Sequence, residues 1–209
     1  MININKTFPP RLLLATTNSG KLREFRSLLA GLPLQLVDPV ELKLDLHVPE
    51  TGTTYAENAT IKALAYQAAS GLPVLADDTG LEVDAFEGAP GLHSARFSPQ
   101  PDATDADRRR LLLDTLAGKP RPWLARFQCA VALALPGHDI RIFHGLVEGE
   151  IIEEEQGDHG FGYDRLFRVN DAGKTMAELD LEEKNHYSHR AVAVKKAILY
   201  LYESLHIEN

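Results

Sequence analysis

Disulfide chemistry is closed to this chain. Its 209 residues include one cysteine, Cys129, set inside an apolar run, with no second thiol to pair with. That usage suits a reducing compartment. Structural zinc is disfavoured for the same reason. The eight histidines are scattered, and His186 and His189, three apart, have no third ligand nearby in sequence. No apolar run approaches the ~20 residues that span a bilayer, and the first ten residues, Met1-Ile-Asn-Ile-Asn-Lys-Thr-Phe-Pro-Pro10, have no apolar core of a signal peptide. A soluble cytoplasmic protein is the expectation. Positive charge is also short: 22 Lys and Arg stand against 30 Asp and Glu, a net charge of -8. Such a chain is a poor general binder of nucleic acid or of an anionic membrane. Any phosphate it holds must be met by local cations, backbone N–H groups or a metal. Two enzyme signatures are missing as well. There is no Gly-x-Ser-x-Gly nucleophile elbow and no Gly-x-Gly-x-x-Gly after a strand. Repeats, low-complexity segments and a linker that would split the chain are absent too.

What is present is ordinary globular composition, 44% hydrophobic and 25% charged, organised around Pro73-Val-Leu-Ala-Asp-Asp-Thr-Gly-Leu-Glu-Val83. The apolar run of Val74, Leu75 and Ala76 suits a buried strand. The strand then delivers Asp77 and Asp78 to its exposed end, and Gly80 is expected to turn the chain sharply. Side chains alternate across a strand, so the two acids should face opposite ways, with Asp78 the one aimed into a site. A solvated turn beginning Asp-Asp-Thr-Gly would read the same way.

Before this stretch, residues 11–16 read as a strand and residues 21–29 as a helix stopped by Gly31. The connection, Thr16, Thr17, Asn18, Ser19, Gly20 and Lys21, combines backbone N–H groups, a helix N-terminus and a lysine. That favours phosphate, although a well-made strand-to-helix loop looks alike. It is not a P-loop, since Ala15 stands at the first glycine and Leu22 at the Ser/Thr. Residues 34–37 read as a second strand, and residues 54–70 as a helix capped by Thr53 or Thr54, with Glu57 three residues after Thr54 as a capping-box partner. Residues 81–86 read as a hairpin arm, followed by a turn at Gly88-Ala-Pro-Gly91. Residues 102–116 read as a helix whose Arg108, Arg109 and Arg110 form a solvated face. Residues 123–135 and 140–151 read as paired strands around Pro136-Gly-His-Asp139. Glu153-Glu-Glu155 reads as a surface run without a role.

Phe161, between Gly160 and Gly162, marks either a backbone approached by a ligand or a turn. Residues 177–185 are short and polar. Ser188 caps a last helix to about Leu205, with Val194, Ile198, Leu201 and Leu205 as its buried stripe. His189 and Arg190 fall in the first turn of that helix, against the dipole. Arg190 therefore has an anionic partner there or is held for a substrate. The pattern is mixed α/β. A hard cation suits carboxylates and phosphate oxygens, and Mg2+ takes one or two carboxylates plus substrate phosphates. Asp78 and Glu50 are the candidates. With Lys21, Phe161 and the cluster Lys184, His189 and Arg190, these are the parts of a nucleoside triphosphate site.

The ordered set Ala15-Thr-Thr-Asn-Ser-Gly-Lys21 with Glu24, Glu50-Thr-Gly52 with Glu57-Asn-Ala59, Ala76-Asp-Asp-Thr-Gly-Leu81, Gly88-Ala-Pro-Gly91 with Ser94-Ala-Arg96, Gly160-Phe-Gly-Tyr-Asp164, and Glu183-Lys-Asn185 with Ser188-His-Arg190 covers almost the whole chain. It closely resembles the Ham1 family of non-standard purine nucleoside triphosphate pyrophosphatases. Against the family pattern, Thr79 replaces the usual serine, Tyr55 a common phenylalanine and Tyr187 a common aliphatic residue. The resemblance implies one domain over residues 1–209, an elongated mixed sheet flanked by helices, in two lobes with a central nucleotide cleft. It implies a homodimer, and Mg2+-dependent hydrolysis of ITP, dITP and XTP to the monophosphate and pyrophosphate. It implies that Thr16 to Lys21 hold the triphosphate, that Asp78 is general base and metal ligand, and that Thr79 contacts substrate. Phe161, Gly162, Tyr163, Asp164, Lys184, His189 and Arg190 would hold base and sugar or phosphate, with Arg190 or His189 reading the purine 6-keto group. A nucleotide sensor without catalysis and a Maf-like enzyme acting on pyrimidine or modified nucleotides are the alternatives.

Overall fold

The computed structural model describes residues 10–204. The N-terminal stretch read above for a signal peptide, apart from Pro10, and Leu205 of the last helix's stripe lie outside the described residues.

Six strands form one sheet in the order β2-β1-β3-β4-β5-β6. Strands β1 (Arg11–Leu14), β2 (Gln35–Val37) and β3 (Val74–Val83) run parallel. They are linked by α1 (Ser19–Leu28) and α2 (Tyr55–Ser70), the crossovers that parallel strands require. Strands β4 (Trp123–Ala134), β5 (Arg141–Ile151) and β6 (Phe167–Val169) extend the sheet antiparallel. The helices α3 (Asp105–Leu116), α4 (Leu181–Tyr187) and α5 (His189–Ser204) complete the chain.

Alternation along the strands sorts the core into two faces. Leu12, Leu14, Leu75, Val131 and Leu133 pack with Phe25 of α1 and with Val194, Ala197 and Leu201 of α5. Leu13, Val74, Ala76, Ala130 and Ala132 face Ala59 and Ala63 of α2, where alanines on both sides let helix and sheet approach closely. A third cluster lies farther along the antiparallel strands. There Leu81, Val83, Trp123 and Phe127 meet Leu112 and Leu116 of α3. Residues 77–80 of β3 are the polar interval between these cores.

Several elements differ from the sequence expectation. The hairpin arm at residues 81–86 does not form. Residues 81–83 continue β3, and Asp84–Phe86 make a 3₁₀ turn. Helix α3 begins at Asp105, not at residue 102, because the Thr104 side chain accepts from the Asp107 N–H in a complete capping box. Residues 181–187, which begin inside the short polar stretch and run past its end, form α4, capped in the same way by Asp180 and Glu183. The stretch 102–104 shows what the helix pattern hid, since Asp102 sits at φ 57°.

Candidate active site

Strand β3 does not stop at its acids. It runs through Asp77, Asp78, Thr79 and Gly80, pairing with β4 along its whole length, so the exposed strand end and the turn at Gly80 are both corrected. Gly80 is required by space rather than by a turn. A Cβ there would fall on the Gly91 carbonyl and 2.5 Å from the Tyr55 hydroxyl. The acids lie at the middle of the strand, buried, and alternation sends them to opposite faces of the sheet.

Asp77 turns toward α1 and α5. It accepts from Lys21 Nζ at 3.0 Å, from Arg190 Nε at 3.1 Å and Nη2 at 2.9 Å, and from the Thr79 hydroxyl at 3.1 Å. Burial would raise its carboxyl, but Lys21 and Arg190 outweigh that and hold it well below the usual carboxylate range. Asp78 turns toward α2. It accepts from Asn58 Nδ2 at 3.0 Å and from the Thr79 N–H at 2.9 Å, with Lys62 Nζ at 3.9 Å. Here burial wins, and the carboxyl is raised above its ordinary value despite Lys62 and Asn58. Two neighbouring aspartates are thus driven apart by their surroundings, the pattern expected where one acid is structural and the other takes up protons.

Asp77 begins a chain of alternating charges that crosses the site. Lys21 meets Asp77, Asp77 meets Arg190, and Arg190 meets Glu24 of α1. Glu24 in turn meets Lys184 of α4 at 2.8 Å, and Lys184 meets Asp164. Burial would raise the Glu24 carboxyl, yet Arg190 and Lys184 bring it down to about 2. Arg190, 1% exposed, therefore has the anionic partners its place in the first turn of α5 calls for, and has two of them. Of the five guanidinium N–H groups, four are engaged by Asp77, Glu24 and Thr79. The Lys184 ammonium spends two of its three N–H groups on Glu24 and Asp164. His189 differs. It is buried and stacked on Phe127 at 4.8 Å, and neither ring nitrogen has a protein partner. Burial, followed by the charge of Arg190, lowers its pKa well below the ordinary value, so the imidazole is neutral.

One cavity gathers Asn18, Lys21, Glu50, Asp78, Thr79, all of residues 161–164, Lys184, His189 and Arg190. The remaining loop residues stand apart. Thr16 accepts from the Asn18 N–H at 3.2 Å, Thr17 and Ser19 are exposed, and Gly20 lines a second cavity behind Phe161. Three of the loop's N–H groups are not free for phosphate: that of Thr16 donates to the Leu14 carbonyl at 2.8 Å, that of Asn18 to the Thr16 hydroxyl, and that of Lys21 to Asn18 Oδ1, which caps α1, at 3.0 Å. Glu50 accepts from Lys62 Nζ at 2.7 Å and faces Arg96 at 3.4 Å.

A sequence model described as the Ham1 family matches residues 12–200. The chain belongs to the Ham1 family. It is 47% identical over 192 residues to a protein of Symbiobacterium thermophilum named dITP/XTP pyrophosphatase, covering 90% of this chain and 93% of the relative. It is 48% identical over 186 residues to one of Xanthomonas oryzae pv. oryzae with the same name, covering 88% and 92%. Among solved structures, a HAM1 protein from Coxiella burnetii superposes with a TM-score of 0.83 at 40% identity, covering 93% of this chain and 100% of that one.

Several residues of this Ham1 chain at or beside the cavity escaped the reading of the sequence. Asn58 and Lys62 lie four apart on α2 and therefore on one face, the face that meets Asp78. Their spacing was visible, but their strand partner was not. The triple arginine is not one solvated face. Arg110 is exposed, Arg108 lines the cavity, and Arg109 is buried. Arg109 is paired with Glu155 at 2.7 Å, which gives the supposedly idle acidic run a partner inside the fold.

Proposed function

We propose that this chain hydrolyses the non-standard purine nucleoside triphosphates ITP, dITP and XTP to the monophosphate and pyrophosphate. The observation that carries the reading is the raised, cavity-lining carboxyl of Asp78, set between a cationic wall and an aromatic end. Lys21, Lys62 and Arg96 supply the positive charge that an acidic protein otherwise denies a triphosphate. Phe161, with Lys184 Nζ 5.2 Å from its ring, and the neutral His189 supply the end for the base.

Asp78 acts as the general base. Its carboxylate takes a proton from a water as that water attacks the α-phosphorus, and pyrophosphate leaves. Asn58 and the Thr79 N–H hold the carboxylate in place. Lys21 and Lys62 face the phosphates, and Asp77 keeps Lys21 oriented. Asn18 and the exposed hydroxyls of Thr17 and Ser19 meet the triphosphate from the loop, while Thr16 and Gly20 shape it.

The donor set fits Mg2+. Asp78 and Glu50 are hard oxygen ligands in one cavity, and the Lys62 ammonium already lies 2.7 Å from Glu50 and 3.9 Å from Asp78, so the space between them favours a cation. Among the described residues, no group of three or more His, Cys, Asp or Glu is placed to hold a metal, so phosphate oxygens complete the set. Mg2+, when bound, neutralises charge that develops on the leaving pyrophosphate.

Base choice follows from donors that cannot become acceptors. Lys184 and Arg190 are held protonated by their carboxylates, although burial opposes it. Each keeps one N–H, which a 6-keto oxygen can accept and the 6-amine of adenine cannot. Mismatches of this kind discriminate by roughly 10⁴. The chain works as a single unit of two lobes with the nucleotide between them. No helix among the described residues is long and apolar enough to cross a membrane. A cytoplasmic location accords with the lone buried thiol, and a homodimer with the exposed Leu124 and Leu146 on adjacent strands.

Pyrophosphate release with Mg2+ across ITP, dITP, XTP, GTP, ATP, CTP and UTP tests the reading. Preference for the first three is expected. Equal rates on all seven, or a pyrimidine preference, would replace it.

A further inference from the structure

The loop that carries Phe161 is held by one face of α3, through Asp105 at the cavity wall and Arg109 behind it. Asp105 and Arg109 lie four residues apart and so share a side of the helix. Between them they grip the backbone of Gly162 at both polarities. The Gly162 N–H donates to Asp105 Oδ2 at 2.7 Å, and the Gly162 carbonyl accepts from Arg109 Nη1 at 2.8 Å. The other edge of the Arg109 guanidinium is fixed in turn, since Nε and Nη2 donate to the two oxygens of Glu155 at 2.7 and 3.2 Å. Gly162 sits at φ 61°, a left-handed conformation for which it has few substitutes.

What this grip positions is the neighbouring ring. The Phe161 N–H donates to Asp164 Oδ2 at 2.8 Å. Its ring lies so close over Gly20 that a Cβ on that glycine would come within 2.7 Å of the ring's Cγ. The ring forms part of the wall of the nucleotide cavity on one side and of a second cavity on the other. Arg109 is itself buried and does not line the nucleotide cavity.

We propose that Arg109, braced by Glu155, is a positioning residue for the base subsite. It fixes the Gly162 peptide and, through it, the plane and height of the Phe161 ring, so it governs affinity for the purine and leaves the phosphate end alone. The proposal rests on the pyrophosphatase reading above, in which Phe161 carries the base. A lysine cannot do the same work, because one ammonium does not reach the carbonyl and both oxygens of Glu155 in a fixed plane.

The test is steady-state kinetics with dITP, together with inhibition by inorganic tripolyphosphate, which occupies the phosphate half alone. Arg109→Ala is expected to raise KM for dITP by about tenfold, the scale of one lost charge-assisted hydrogen bond. Both kcat and the tripolyphosphate inhibition constant should stay within about twofold. Arg109→Lys should recover part of the loss. In a Phe161→Ala background the same substitution should add nothing, because two residues acting through one contact are not additive. Glu155→Gln, which keeps the shape and weakens the brace, should move KM in the same direction by less, and it serves if Arg109→Ala fails to fold. An unchanged KM, a parallel loss toward tripolyphosphate, or additivity with Phe161→Ala would each overturn the proposal while leaving the pyrophosphatase reading intact. Wild-type protein that turns over no nucleoside triphosphate would overturn both.

Discussion

Asp77 and Asp78 show how little residue type alone decides. The pair is adjacent in sequence, but one carboxyl is pressed down by two cations and the other is pushed up by burial. If Asp78 is the general base, kcat/KM should rise with pH through an apparent pKa above the ordinary aspartate value, as the carboxyl gives up its proton. Asp78→Asn should lower turnover by at least about a hundredfold while nucleotide binding, measured by calorimetry, persists. A variant that turns over normally would remove Asp78 from the chemistry. Glu24 makes a separate prediction about stability. Its folded pKa of about 2 lies below the ordinary 4.5, so the unfolded chain binds a proton in that window that the folded chain refuses. Its stabilisation is complete above pH 4.5 and is lost as pH falls toward 2, on the order of 3 kcal/mol in all. Glu24→Gln should be less stable at neutral pH, because it strands Arg190 and Lys184. Its stability should fall less steeply across that acid window. Identical slopes in denaturant titrations at stepped pH would show that Glu24 does not titrate there.

At the scale of elements, β3 is the part on which the site depends. It carries three polar residues through the middle of a paired strand, and it does so only because Gly80 leaves room for the Gly91 carbonyl and the Tyr55 hydroxyl. Gly80→Ala should cost about 1–3 kcal/mol by overpacking, read as a lower urea midpoint, and should lower activity by displacing Asp78. Full stability would mean the backbone yields more easily than the packing implies. The same strand shows what periodicity can and cannot tell. Apolar runs marked β1, β3, β4 and β5, and helix caps marked the start of α2. The three residues of β6 carry too short a signal, and the polar α4 is stabilised by its capping box, not by an apolar stripe. Gly80 read as a turn because glycine's two uses, turning and making room, look identical until the neighbour at Gly91 is known.

For the whole molecule, the net charge says little about where the charges lie. Within a net charge of -8, the fold sets three cations and three anions into one ladder drawn from α1, β3, α4, α5 and the loop at Asp164. Lys21, Asp78, Lys184 and Arg190 could be singled out from their local settings. Lys62 and Arg109 could not, because their importance lies in partners 16 and 46 residues away in the chain, Asp78 and Glu155. The proposed mechanism has water attack the α-phosphorus on the Asp78 side of the cavity. A single turnover of dITP in ¹⁸O-labelled water, with both products weighed by mass spectrometry, tests it most directly. Label in the monophosphate and none in pyrophosphate is the predicted result. Label in pyrophosphate, or release of orthophosphate, would place the attack at another phosphorus and contradict the account.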